Sequence, residues 1–589
     1  VAPAAGRRFG TERRRTMELS ARERDLLAER LEAIGVSRRE FLKVVAAISA
    51  TGVGVGAPNW TEAVAPSKPA PGEKLARAQV FRRGDFKDEP ASFDFNKDLY
   101  NSGEPALFAG LTRPTADFTV VPWVAERYSP NDDASVWTFH LRRDARWSNG
   151  DRVTAHDYAW SWKRQLNPET KAPYSAFLYD LKNGEAFNKG QVKDENLVGV
   201  RAKDDYTLEA TLEGPRGYFP VLVGYFAALP AHRPSVEKYG DKWTEAANIV
   251  TNGPWTLESW DHHKQFVLKK NLHYFGAKDI HLERVVCPII PRAAGILPYE
   301  NNEVDYDWVP PGDLRRMQAD PKVSKEVVRY FYPGTWYVIP QVTKAPFDNL
   351  KVRRAMSHAI DRNIIARVSL GFGIPAHCMT PPGIPGYIDD PKIKEIQKFD
   401  PRLAMEALRG TPFEGGRNWP KIVMSMRDEP YGAKQMAEGV QAMLLEHLKM
   451  KVELEVLEPR VFREKLWKQD HQLIWIRWFQ DFPDPHNEYF DTFYGKRTTG
   501  KRQAWANDEF DGLITQARGE KDWAKRLALY TRAEEVLQRD VGYIPVTWTI
   551  RYVAFKPWVK GIEKNKQGEL VPDGNMYRAM LEHIYILEH

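Results

Sequence analysis

Residues 451–478 read KVELEVLEPRVFREKLWKQDHQLIWIRW. In the first seven positions Val452, Leu454 and Val456 alternate with charged residues, the pattern of a half-buried strand. A helical stretch follows near Arg460–Lys468. Then comes Leu473–Trp478, an apolar run of strand length. Directly upstream, Gln435–Leu448 has helical spacing. Strand, helix and strand in such quick alternation predict an α/β fold with a mixed or parallel sheet covered by helices. Ligands of open α/β sheets sit at the carboxyl ends of strands. The residues just after Trp478 are therefore the first place to look for a site.

The same signals recur along the chain. Trp137–Leu141 (WTFHL) reads as a strand, and the turn residues Ser148-Asn149-Gly150-Asp151 come after it. Thr154–Leu166 opens on an N-capping threonine and reads as a helix. Asp400-Pro401 starts another helix and Gly410 ends it. Residues 66–72 (PSKPAPG) read as a linker. The chain beyond this linker exceeds one ordinary hydrophobic core, so two or three lobes are expected.

Near the start stands SRREFLKVVAAISATGVGVG, residues 37–56. Its apolar run is too short for a membrane-spanning helix, which needs ~20 apolar residues. Behind a basic segment it fits the hydrophobic part of an export signal. Arg38 and Arg39, with Phe41 and Leu42 behind them, resemble the twin-arginine export motif, which implies export of an already folded protein. Ala63-Val64-Ala65 is an A-x-A cleavage candidate, though Pro66 is a poor first residue for a mature chain. Glu18–Ile34 has helical apolar spacing upstream. Residues 1–65 are read as address rather than fold.

The net charge is +6. Residues 1–65 hold 11 basic and 8 acidic side chains, so half of that surplus leaves with the signal. A near-neutral remainder argues against nucleic acid as a partner. No second long apolar run occurs downstream. Cys287 and Cys378 are the two cysteines: a disulfide or two buried thiols, with neither placed for lipid anchoring. The chain holds 19 Trp, 24 Tyr and 27 Phe, rings that suit binding surfaces as well as cores.

Five blocks, in order, resemble the family 5 extracellular solute-binding proteins, the receptors of ABC importers, and most of all their oligopeptide-binding branch. They are Trp137–Thr154, Tyr239–Trp260, Lys344–Arg362, Trp478–Pro485 and Tyr543–Lys560. The resemblance implies two lobes that close on a ligand, with an extra domain on the first lobe. Domain I would comprise residues 75–115, 240–335 and 555–589, after a 66–74 linker. Domain II would be 116–239 and domain III 336–554. It also implies a monomer outside the cytoplasm, periplasmic or at the cell surface. Its partners would be short peptides, the membrane permease and, during export, the twin-arginine translocase.

The resemblance implies site residues in the same way. Asp481 falls where the peptide binders pair an aspartate with the ligand's α-ammonium. The alternative is an Asx-turn residue before Pro483. Asp484 is the competing carboxylate and is expected at the surface. Arg477, Trp478, Phe479 and Gln480 are expected to run extended beside the ligand, their backbone pairing with it as an added strand. Trp336, Tyr337, Trp308 and Tyr174 fall near family aromatic positions and are lining candidates, or core. The chain departs from the family at Trp475, Pro459 and Val309-Pro310, so preferences for ligand length and side chain do not transfer.

No metalloprotease, nucleophile-elbow or Walker motif occurs, so neither enzyme activity nor a cofactor is expected. His262-His263 would point to opposite faces of a strand and make a poor metal site. Two alternatives stay open: a receptor of this fold for an oligosaccharide or other solute, and a secreted hydrolase or chaperone on the same scaffold.

Overall fold

The computed structural model describes residues 68–97, 104–427, 429, 432–496, 502–566, 568–571 and 580–589. The export motif Arg38, Arg39, Phe41 and Leu42, the Glu18–Ile34 helix and the cleavage candidate lie outside the described residues, as does the start of the 66–74 linker.

The fold is α/β with two lobes. In the first lobe Val80–Arg82 runs parallel to Arg284–Pro288, and Gln265–Lys270 and Trp255–Asp261 complete a four-stranded sheet. A second four-stranded sheet, all antiparallel, is ordered Ala125–Pro130, Val136–Leu141, Thr207–Thr211, Val200–Asp204. One apolar core runs through both sheets. The helix Ala155–Leu166 packs here through Tyr158, Trp162 and Leu166. Its start obeys the sequence: Asp157 accepts from the Thr154 backbone N–H at 2.7 Å, closing the first turn.

The second lobe is built on a seven-stranded mixed sheet. Its order is Tyr306–Trp308, Ile544–Phe555, Val327–Pro340, Leu473–Phe479, Ile422–Arg427, Val452–Leu457, with Gly373–Pro375 beside the second of these. The expected β/α alternation is present: Ile422–Arg427 is parallel to both Val452–Leu457 and Leu473–Phe479, with helices Ala433–Leu448 and Pro459–Trp467 between them. Both faces are covered, which explains the apolar run at 473–476; Arg477, which follows it, is only half-buried. Leu473 and Trp475 enter one core, and Ile474, Ile476 and Trp478 enter the other. The alternation at 452–456 is only half realised. Val452 is buried, but Val456 is 47% exposed on the sheet's outermost strand.

Two strands belong to both lobes. Val327–Pro340 has 14 residues and Ile544–Phe555 has 12, long enough for about 40 Å each. At one end Phe555 pairs with Tyr306, and at the other Val338 pairs with Ile544. The expected domain boundary at 335/336 falls inside the first of these strands. Their register shifts between Phe331 and Thr335, around Pro333 and Gly334, as at a bulge. Gly334 has no room for a side chain, because a Cβ there would overlap the Phe479 ring. Gly334→Ala is expected to lower stability by about 1–3 kcal/mol, read as a lower urea midpoint. An unchanged midpoint would mean that the ring moves aside freely.

Cys287 and Cys378 are free thiols, both buried, so the disulfide alternative is not realised. His262 and His263 follow the strand Trp255–Asp261 in a turn rather than extending it, with His263 at φ +62°. Among the described residues no group of three metal-ligating side chains gathers, here or elsewhere. Nor is any helix among them long and apolar enough to cross a membrane.

Candidate functional site

The strand Leu473–Phe479 pairs along its whole length with Gly334–Pro340. On its other side it pairs with Ile422–Arg427 only at Leu473 and Ile474. From Trp475 onward no described strand pairs with that second backbone edge. That edge leads directly into Asp481.

Asp481 is half-buried and held from two sides. Its own backbone N–H donates to Asn487 Oδ1 at 2.8 Å, and Asn487 Nδ2 donates to its Oδ2 at 3.1 Å. Tyr225 of the first lobe donates its hydroxyl to Oδ1 at 2.9 Å. Among the described residues no lysine, arginine or histidine forms an ion pair with it. Burial pushes its carboxyl up to about 6, against the pull of the Asn487 and Tyr225 hydrogen bonds. Asp491 adds to the rise and Arg502 opposes it. Such a carboxylate gains most from a ligand that brings its own positive charge.

The turn behind Asp481 is fixed by charge. Asp484 is 2% exposed, so the expectation of a surface carboxylate is wrong. It accepts from both terminal nitrogens of Arg526, at 2.5 and 2.7 Å, and from His486 N–H at the start of the short helix Pro485–Glu488. That helix presents Asn487.

The two lobes touch around this turn. Phe482 joins the first lobe's core, its ring 5.9 Å from Phe177 and stacked over Tyr218 at 6.5 Å. Tyr218 also stacks on His486 at 4.0 Å. Asp180 accepts from Arg216 and Tyr218 of its own lobe, each at 2.5 Å, and from Arg518 of the other at 3.0 Å. Gly217 N–H donates to the Arg518 carbonyl at 3.0 Å, and Lys521 donates to the Asp132 carbonyl.

The remaining expected site residues divide. Tyr174 is half-buried in the first lobe with its ring edge-on to Tyr225 at 6.2 Å, close to the Asp481 junction. Arg477 lies over Phe479 at 3.8 Å and pairs with Glu429, which also holds Arg427. Trp308 is half-buried with Arg551 at 5.3 Å from its ring, and Arg551 is also 5.3 Å from Phe479. Trp478 and Gln480 are buried. Trp336 and Tyr337, being adjacent in a strand, point to opposite faces. Trp336 stacks on Trp475 at 5.4 Å in one core, and Tyr337 is fully buried in the other against Phe493 and Tyr543. Both sit in cores here.

Tyr225, Asn487, Phe482 and Asp180 were not anticipated. Asn487 had a usable signal, because the Asp484-Pro485 pair starts a helix that returns toward Asp481. Tyr225 had none, being 256 positions from its partner.

Residues 119–501 match the profile described as "Bacterial extracellular solute-binding proteins, family 5 Middle".

The chain belongs to this family.

A family 5 solute-binding protein is a receptor rather than an enzyme. The periplasmic oligopeptide-binding protein OppA of Salmonella typhimurium is 31% identical over 82% of this chain and 88% of its own. The fold is similar to that of the periplasmic murein tripeptide-binding protein MppA, whose structure is an unliganded open form, with TM-score 0.73, 26% identity and coverage of 88% of this chain and 99% of that one. It also matches Haemophilus influenzae OppA in complex with the peptide RPPGFSPFR, with TM-score 0.70, 26% identity and coverage of 87% and 100%.

A second buried carboxylate marks this family 5 protein's stability. Glu488 is 1% exposed, accepts from Thr380 Oγ1 and is pushed up to about 8 by burial. In the unfolded chain it titrates near 4.5. Between those values the folded state keeps a proton that the unfolded state has lost, so stability falls as pH rises from about 4.5 to about 8. Glu488→Gln is expected to flatten that interval and to stabilise the protein at pH 8 by on the order of a few kcal/mol. Denaturation midpoints from pH 5 to pH 9 test this. An unaltered slope would place the titration elsewhere, Glu534 and Asp307 being two other buried carboxyls raised by burial.

Proposed function

We propose that the protein captures short peptides between its two lobes and hands them to the permease of an ABC importer, with Asp481 as the anchor for the peptide's α-ammonium. The observation that carries this reading is Asp481 itself: a half-buried carboxylate at the end of a strand edge that no described strand pairs with, hydrogen-bonded from both lobes and without an ion-pair partner among the described residues. A peptide laid along Arg477–Phe479 would extend the sheet through its main chain, with little regard to its side chains. Tyr174 and Phe482 would close over its amino end. Arg477, Trp308 and Arg551 line the direction in which the rest of it runs. The peptide-binding relatives support this assignment.

Mass spectrometry of the material that the natively purified protein releases on denaturation tests it. Short peptides of mixed sequence are expected. A released sugar or a single defined solute would instead favour the oligosaccharide or other-solute reading on the same fold.

We further propose that the chain works as a monomer outside the cytoplasm and leaves it by the twin-arginine route. Replacing Arg38 and Arg39 together by lysine is expected to hold the protein in the cytoplasm. Undiminished export of that variant would refute the route. The domain limits 75–115/240–335/555–589, 116–239 and 336–554 are proposed as the moving bodies. Structures with and without ligand test them by superposing each body separately.

A further inference from the structure

We infer that Tyr225 and Asn487 are the positioning residues of Asp481, so that the anchor is complete only when the first lobe has come down onto the second; this rests on Asp481 being the ammonium anchor.

Asn487 is fully buried and all of its polar groups are used. Its Oδ1 accepts from the Asp481 backbone N–H at 2.8 Å and from the Trp478 indole N–H at 3.1 Å. Its Nδ2 donates to Asp481 Oδ2 at 3.1 Å and to Asp491 Oδ2 at 2.8 Å. The reversed amide would set its oxygen against two carboxylates and its hydrogens against two N–H groups, so only one orientation is allowed. One amide therefore ties the end of the ligand strand, through Trp478, to the direction of the Asp481 carboxylate.

Tyr225 acts from the other side. It is 4% exposed, and its ring is wedged between Phe226 at 4.4 Å and Phe177 at 5.1 Å. The hydroxyl reaches Asp481 Oδ1, leaving Oδ2 to Asn487. A carboxylate has about four lone-pair sites. One site on each oxygen remains, and a single ammonium can bridge the two. With the lobes apart the Tyr225 bond is lost, and the carboxylate is both less oriented and less stabilised as an anion. The charged groups that face Asp481 are Asp491, which disfavours its ionisation, and Arg502, which favours it. Removing either hydrogen bond tips that balance toward the protonated acid, which cannot pair with an ammonium.

The test uses Tyr225→Phe, which removes one oxygen atom, and Asn487→Leu, which keeps the shape. Each full-length variant is offered a random tripeptide mixture, half of it N-acetylated, between pH 5 and pH 8. Bound peptides are quantified by mass spectrometry, and thermal midpoints are recorded alongside. The wild-type protein is expected to retain free-amine peptides selectively and to lose them as pH falls below about 6. Each variant is expected to bind them roughly tenfold more weakly at pH 7.5, with the pH midpoint moved upward by about half a unit to one unit. Variants that lose thermal stability but keep the wild-type pH midpoint and the wild-type preference for free amines would overturn the positioning role. A wild-type protein that takes acetylated and free peptides alike, or neither, would overturn the ammonium anchor itself, and the inference with it.

Discussion

Asp481→Asn is expected to weaken binding of tripeptides with a free amino end by a hundredfold or more, while N-acetylated tripeptides, weak to begin with, lose little further. The substitution keeps the volume and removes the charge, and neither neighbour is stranded, because the amide oxygen can still accept from Asn487 while its Nδ2 donates to the Tyr225 hydroxyl oxygen. Inside a closed cleft, truncating one partner of a hydrogen-bonded charge pair costs about 2–5 kcal/mol, much of it from leaving the other charge buried and unmatched. Here the stranded charge would be the ligand's ammonium. Isothermal titration with both peptide forms measures the difference directly. Equal losses for the two forms would mean that Asp481 holds the turn rather than the ligand. Because the Asp481 carboxyl is raised to about 6, wild-type affinity is also expected to fall as pH drops through that value. In the asparagine variant that dependence should vanish.

The largest effect on stability is expected at Arg526. Its guanidinium is 4% exposed and grips Asp484 with two hydrogen bonds, while Nε donates to the Ala517 carbonyl at 3.0 Å. Arg526→Met fills much of the space but leaves Asp484 as a buried, unmatched carboxylate. Breaking a buried pair from one side costs about 3–5 kcal/mol. The double variant Arg526→Met/Asp484→Asn removes the charge as well, and it should recover a large part of the loss. Urea denaturation of the four proteins closes the cycle. If both single variants unfold at the wild-type midpoint, water reaches the pair and it contributes nothing. Because Asp484 caps the helix that carries Asn487, the single variant should also bind peptides poorly at temperatures where it stays folded.

Sequence and structure agree or part along one physical line. Patterns that depend on neighbours in the chain were readable. Leu473–Trp478 is legible because a strand buried on both faces is apolar over most of its length, and Thr154 because a helix start needs a local acceptor or cap. The two-lobe architecture came from the resemblance, since the blocks that carry it span nearly the whole chain. Pairings across long stretches of sequence were not readable. Asp484 is expected at the surface because its partner Arg526 lies 42 positions away. Tyr225 sits in a run of apolar residues and differs from core tyrosines only in where its hydroxyl ends. For Trp336 and Tyr337 the positional likeness leaves lining and core open; both sit in cores, on opposite sides as the two-residue period of a strand requires.

The contacts that join the lobes are made between protein groups alone, and they have a kinetic consequence. Asp180 with Arg518, Tyr218 with His486, and the Phe482 ring in the first lobe's core all favour the closed arrangement whether or not a peptide is enclosed. A peptide can enter only while the cleft is open, so its capture rate scales with the open fraction, and apparent affinity is reduced by the share of time spent shut. The same contacts slow escape once a peptide is inside. Loosening them, for instance at Arg518, should speed both arrival and departure. The strength of this one ion pair thus trades scavenging at low peptide concentration against turnover at high concentration.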